Sequence, residues 1–124
     1  MHRNGAQAVV VEPAGLSVLH YERIVRLAVE HKVPSAFDLA FNVLAGGLIS
    51  YGLDLEDIAE RAVGYVDRIL RGARPAELPM EMPNKLEFVV NQRTALALGL
   101  TLPATLLARA DQVLACTCLD PFED

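Results

Sequence analysis

A strand–helix–strand pattern in the N-terminal half narrows the fold before anything else does. Residues 8–12 (AVVVE) form a β-branched run that stops at Pro13, as a buried parallel strand would. Gly15 breaks the chain and Ser17 is placed to cap a helix. Residues 17–32 (SVLHYERIVRLAVEHK) then put Leu19, Ile24, Leu27 and Ala28 near helical spacing. His31 and Lys32 suit the negative end of that helix, and Pro34 forbids its continuation. Residues 33–37 (VPSAF) read as the second strand. The three elements make a βαβ unit, whose crossover is right-handed.

The pattern continues. Residues 39–44 allow a helical turn, and Gly46-Gly47 opens a third strand, GLISYG. Asp54 is placed to cap a helix over 54–71, with Glu56 and Asp57 at its positive end and Gly72 as its stop. Ile58, Ala62, Val66 and Ile69 share one face of it. Residues 73–85 (ARPAELPMEMPNK) carry three prolines and read as an extended crossing segment. LEFVV, residues 86–90, fits a strand. Asn91 is placed to cap a short helix, QRTALALGL, that Gly99 ends. Pro103 is placed to begin a last helix, PATLLARADQVL. The expected class is α/β, a mostly parallel sheet flanked by helices.

Composition excludes several function classes. The chain of 124 residues fits one domain, with residues 1–114 as the α/β unit and 115–124 as a flexible tail. Eleven Lys and Arg against sixteen Asp and Glu give a net charge of −5, and no basic stripe appears, so nucleic acid is not an expected partner. No apolar run reaches the roughly 18–20 residues that span a bilayer. The N-terminal MHRNGAQAVVVEP lacks the form of a secretory signal. As written, the chain is expected in the cytoplasm.

Candidate chemistry is sparse. Cys116 and Cys118 cannot by themselves close a tetrahedral zinc site and read as reduced thiols. His20 and His31 lie eleven apart on the expected helix, roughly 16 Å along its axis, and read as solvated or capping residues. Glu56, Asp57 and Glu60 complement a helix dipole. Ser17 and Ser50 lack a nucleophile elbow, and Gly46-Gly47 lacks dinucleotide-loop spacing and reads as a tight turn. No catalytic residue, metal or cofactor is expected.

Position carries more. In parallel sheets ligands bind beyond the carboxyl ends of strands. Three such ends carry polar or special residues: Glu12-Pro13-Ala14-Gly15, Asp38, and Ser50-Tyr51-Gly52. A buried carboxylate there could hold a ligand's ammonium or hydroxyl group. The competing reading of Glu12 and Asp38 is a helix cap or turn former.

The ordered series SYG, YVDRILRGARPAELP, NKLEFVVN, TALALGLTLP and LLARAD closely resembles the C-terminal part of ABC-transporter substrate-binding proteins, the family that includes tryptophan- and tyrosine-type binding proteins. GAQAVVVEP and RIVRLAVEHKVPSAF fit more loosely, so the resemblance covers about residues 5–114. It implies part of a type I periplasmic-binding-protein fold, one lobe plus a crossing C-terminal segment, in a protein that does no chemistry. It implies a small-molecule solute, amino-acid-like or a small organic acid, and a membrane permease as partner. Family members are periplasmic or membrane-anchored. Asp38 matches a position that often faces the ligand, and Glu12, Ala14 and Tyr51 are further candidates for binding substrate.

The sequence departs from the family in two places. EPAG stands where relatives that bind aromatic amino acids tend to carry hydroxyl and amide residues, and the close ACTCLDPFED is unlike the usual one. A partial lobe would also leave apolar faces of helix 54–71 and strand 86–90 exposed, so a homodimer, with C-terminal elements exchanged, is expected. The alternative reading is a cytoplasmic dimerising module that binds no solute.

Overall fold

A computed structural model describes residues 5–115. Five strands form one sheet in sequence order: β1 (Val9–Val11), β2 (Ser35–Phe37), β3 (Ile49–Leu53), β4 (Leu86–Asn91) and β5 (Gln112–Leu114). The first three run parallel, β4 pairs antiparallel to β3, and β5 runs parallel to β4. The mostly parallel α/β class expected from the strand–helix pattern is the class observed.

Among the described residues there are six α-helices: α1 (Gly15–Leu19), α2 (Tyr21–Glu30), α3 (Ala40–Leu44), α4 (Leu55–Leu70), α5 (Gln92–Ala97) and α6 (Ala104–Leu107), and the segment expected to be extended over 73–85 contains a 3-10 turn at Pro75–Glu77. The single crossover helix expected over 17–32 is two helices. His20 ends α1 and begins α2, and Ser17 lies inside α1. Asp54 caps α4 as expected, accepting from the Glu56 and Asp57 amides at 2.9 and 3.1 Å. Asn91 caps α5 through Thr94 N at 3.1 Å. The long last helix is not formed. Only Ala104–Leu107 is helical, Pro103 is its N-cap rather than its first residue, and Gln112–Leu114 pairs with β4.

α3 closes with the Gly46 amide donating to Val43 O and the Gly47 amide to Asn42 O, the paired bonds of a Schellman motif. Gly46 has φ 108°, which glycine adopts without steric cost. α2 ends the same way through Lys32 and Val33, and there the left-handed position is filled by a lysine at φ 53°.

Alternation divides the sheet. Phe37, Ser50, Val89 and Asn91 share the face that packs on α3, where the Asn91 side chain donates to Val43 O, and these residues, Val43, and Val25 and Ala28 of α2 are all buried. The opposite face carries Val10, Ile49, Tyr51, Leu53, Leu86, Phe88 and Val90. Val90 is fully buried there, but Val10, Tyr51, Leu53 and Leu86 are exposed.

The segment from Asp54 onward does not all leave the sheet. α4 and residues 71–85 project from it, and β4 returns to pair along the length of β3. β4 therefore has partners on both edges, β3 on one and β5 on the other. α4 has no buried residue, and Val63, Val66, Ile69 and Leu70 are exposed, as the partial-lobe reading expects.

Candidate functional site at the strand ends

The carboxyl ends of β1 and β2 lie side by side, since Val11 pairs with Phe37. Each strand runs straight into a short loop. After β1, Glu12 O accepts from the Ala14 amide at 2.9 Å. Ser17 Oγ accepts from that same amide at 2.7 Å and donates to Glu12 O at 2.6 Å. Ser17, expected as the residue that opens the helix, stands instead at its third position, where it accepts from the Ala14 N-cap amide and so locks the loop that presents Glu12.

After β2, Asp38 occupies the bend before α3. The N-cap of α3 is Leu39, which makes no side-chain cap, so Asp38 is not the capping residue. Buried Asn42 braces this loop, its amide nitrogen donating to Leu39 O at 3.1 Å. Phe41 supports it from the side, its ring edge-on to Tyr21 at 4.9 Å between centroids.

Glu12 and Asp38 line one small cavity together with Ser17, Phe41 and Asn42. Its volume is about 10 Å³, about enough for a single water. Both carboxylate residues are exposed rather than buried. Among the described residues neither side chain makes a hydrogen bond or ion pair. The arrangement is a shallow recess lined by two exposed carboxylate residues at adjacent strand ends.

The other two candidates lie elsewhere. Ala14 serves the loop through its backbone and does not line the cavity. Tyr51 alternates with buried Ser50 and so points from the opposite face of the sheet. It is 61% exposed, stands edge-on to Phe88 at 6.0 Å, and borders an open concavity of about 450 Å³ with Leu86, Leu106, Arg109 and Asp111. The structure brings Glu12 and Asp38 together and leaves Tyr51 apart. Ser17 and Asn42 escaped the sequence reading as loop braces. Hydroxyl and amide residues a few positions beyond a strand end are the signal that points to them.

The remaining candidates take structural roles. Ser50 is 1% exposed and its Oγ has no partner among the described residues, none of which is placed to activate it. His20 and His31 sit at helix ends, His31 with its Nδ1 2.9 Å from Leu27 O. Asp57 pairs with Arg61 at 2.7 Å. Among the described residues no cluster of His, Cys, Asp and Glu could hold a metal ion, and no helix is long and apolar enough to cross a membrane. His2, Cys116 and Cys118 lie outside the described residues.

The chain matches the family model of the ABC transporter substrate binding protein over residues 1–114. It is similar in structure to a conserved domain protein from Vibrio cholerae O1 biovar El Tor, at 26% identity and TM-score 0.78, covering 86% of this chain and 36% of that one. It is also similar to an ABC domain in complex with L-Trp from Streptococcus pneumoniae, at 27% identity and TM-score 0.76, covering 86% and 37%. A ligand-free, open substrate binding protein with adhesive properties from Clostridium difficile shares the fold at 21% identity and TM-score 0.58, covering 86% and 35%. The chain thus spans about a third of the length of these solved structures. No curated protein matches it. The family match runs through every strand of the sheet, and the chain belongs to the ABC transporter substrate binding protein family.

Proposed function

We propose that this chain forms one wall of a solute-binding cleft in an ABC-type transport system and holds its solute without covalent chemistry. One observation carries the reading: Glu12 and Asp38, on adjacent strand ends, present carboxylates with no partner among the described residues. A solute bearing an ammonium group would meet these two exposed carboxylates through a charge-assisted hydrogen bond. The relative that is in complex with L-Trp supports an amino-acid-like solute. Membership of the family supports delivery of the solute to a membrane permease.

Calorimetric titration with L-tryptophan, other amino acids and their deaminated analogues tests this. Asp38→Asn is expected to weaken amino-acid binding about tenfold or more, because a hydrogen bond to a charged group contributes about 1.5–3 kcal/mol. Equal affinity for an amino acid and its deaminated analogue would overturn the ammonium assignment.

A second reading rests on the exposed apolar surface of Val10, Tyr51, Leu53 and Leu86 on the sheet and of Val63, Val66 and Leu70 on α4. Sheets built from parallel strands are normally covered on both faces. In this reading two copies associate through these faces and bind no solute. Light scattering across a dilution series separates the two, since a monomer at micromolar concentration defeats the dimer.

A further inference from the structure

Gly52 does not need glycine for its own backbone, because its φ lies outside the left-handed region. What it needs is the space. A methyl group on Gly52 would stand 1.9 Å from the carbonyl oxygen of Asp38, 2.8 Å from the carbonyl carbon and 3.2 Å from the α-carbon. These are backbone atoms and cannot swing aside as a flexible side chain would.

The chain on either side decides what would move. On its far edge β3 is held to β4 along its whole length, with Gly52 opposite Glu87 and Leu53 opposite Leu86. Just beyond, the Asp54 amide donates to Lys85 O at 3.1 Å and the Asp54 carboxylate meets Lys85 Nζ at 2.8 Å. On its near edge the last pairing with β2 is Phe37 with Ser50, so Asp38 lies past the end of the ladder. The loop is therefore the softer partner. Gly47 is crowded in the same way by the elements that flank the loop: a methyl there would meet the Phe37 ring of β2 at 2.7 Å and Asn42 O of α3 at 2.8 Å.

We propose that Gly52 is a positioning residue for the strand-end site: the missing side chain lets the Asp38 backbone rest on β3 and thereby sets where the Asp38 carboxylate stands. The effect on solute rests on the reading that Asp38 faces the cleft, whereas the effect on the loop does not. Any side chain at 52 would push the loop outward by about an ångström, more than a preorganised binding group tolerates. Gly64, in the middle of α4 with open space around it, is the matched control.

The test compares wild type, Gly52→Ala and Gly64→Ala by heteronuclear NMR and by calorimetric titration with L-tryptophan. Gly52→Ala is expected to shift the backbone signals of residues 37–39 while those of the β4 core, Val89 and Val90, stay in place. Gly64→Ala is expected to leave both sets unmoved. Unmoved signals at 37–39 in Gly52→Ala overturn the proposal. Should Gly52→Ala fail to fold, the wild-type protein decides: a cross-peak between the α-protons of Gly52 and Asp38 supports the contact, and its absence overturns it. Where wild type binds L-tryptophan, Gly52→Ala is expected to lose about tenfold or more in affinity while still folded, and unchanged affinity overturns the positioning role. A wild type that ignores L-tryptophan counts against the solute reading alone, and the NMR comparison still decides this one.

Discussion

Ser50→Ala should make this protein more stable. Ser50 is 1% exposed, sits between Phe37 and Val89 in the sheet, and its hydroxyl is the one buried side-chain polar group without a partner among the described residues. A hydroxyl taken out of water without a replacement hydrogen bond costs about 1–3 kcal/mol. Removing the oxygen leaves a void on the order of 10–15 Å³, which costs about 0.3 kcal/mol at about 24 cal/mol per Å³. The net gain is about 1 kcal/mol or more, or roughly 3–5 °C in Tm for a domain of this size. Urea unfolding by circular dichroism reads it as a raised midpoint with unchanged slope. A lowered midpoint would refute the reasoning, because it would mean that the hydroxyl contributes a bond in the folded state.

Two further outcomes are expected. Lys32→Gly relieves a left-handed lysine at the end of α2, and the gain of about 1–2 kcal/mol is partly offset by about 0.5–1 kcal/mol of extra chain entropy, leaving a small stabilisation in the same urea assay. The Lys85 ammonium beside Asp54, helped by the Asp57 and Glu56 amides, holds the Asp54 carboxyl below its ordinary 3.8, and Asp54 in turn raises Lys85 above its ordinary 10.5. The stability from this pair is therefore constant between about pH 3.8 and 10.5. It is lost as pH falls through the lowered Asp54 value or rises through the raised Lys85 value. The midpoint difference between wild type and Asp54→Asn should shrink below pH 3.8, and a difference that persists into strong acid would count against the pair.

Local chemistry made much of the fold legible. α4 announces itself by Asp54 at its start and Gly72 after its end, and α5 by Asn91 and Gly99, because caps and stops are written in the residues that make them. β5 was not legible. Gln112–Leu114 becomes a strand by pairing with Val89–Asn91, and Asp111 anchors the start of that pairing, its amide donating to Phe88 O and its carboxylate accepting from Phe88 N, across twenty-odd residues of sequence. The break at His20 also carries no glycine or proline to mark it.

Of the candidate site, the position of Glu12 and Asp38 at neighbouring strand ends was legible because a parallel strand fixes where its carboxyl end lies. Tyr51 could not, since the phase of a short strand is set by its neighbours. The small polar Ser50 took the inward position against Val89 and left the larger Tyr51 outside.

The return of β4 to β3 gives the chain between them an unusual mechanical standing. Leu53 faces Leu86, and the Asp54–Lys85 clasp closes the next step, so residues 55–84 leave and rejoin the sheet at a single point. In topological terms β3 and β4 are a hairpin whose turn has grown into an arm, stiffened by Tyr65 donating to Pro79 O and by Arg61 reaching Asn84 and Glu81. An arm hung from one clasp can swing or lengthen without disturbing the ladder that carries it. Extra length costs little, since loop-closure entropy grows only with the logarithm of loop size. The sheet and the arm are thus free to answer to different demands, one holding the strand ends in register and the other free to meet whatever lies beside them.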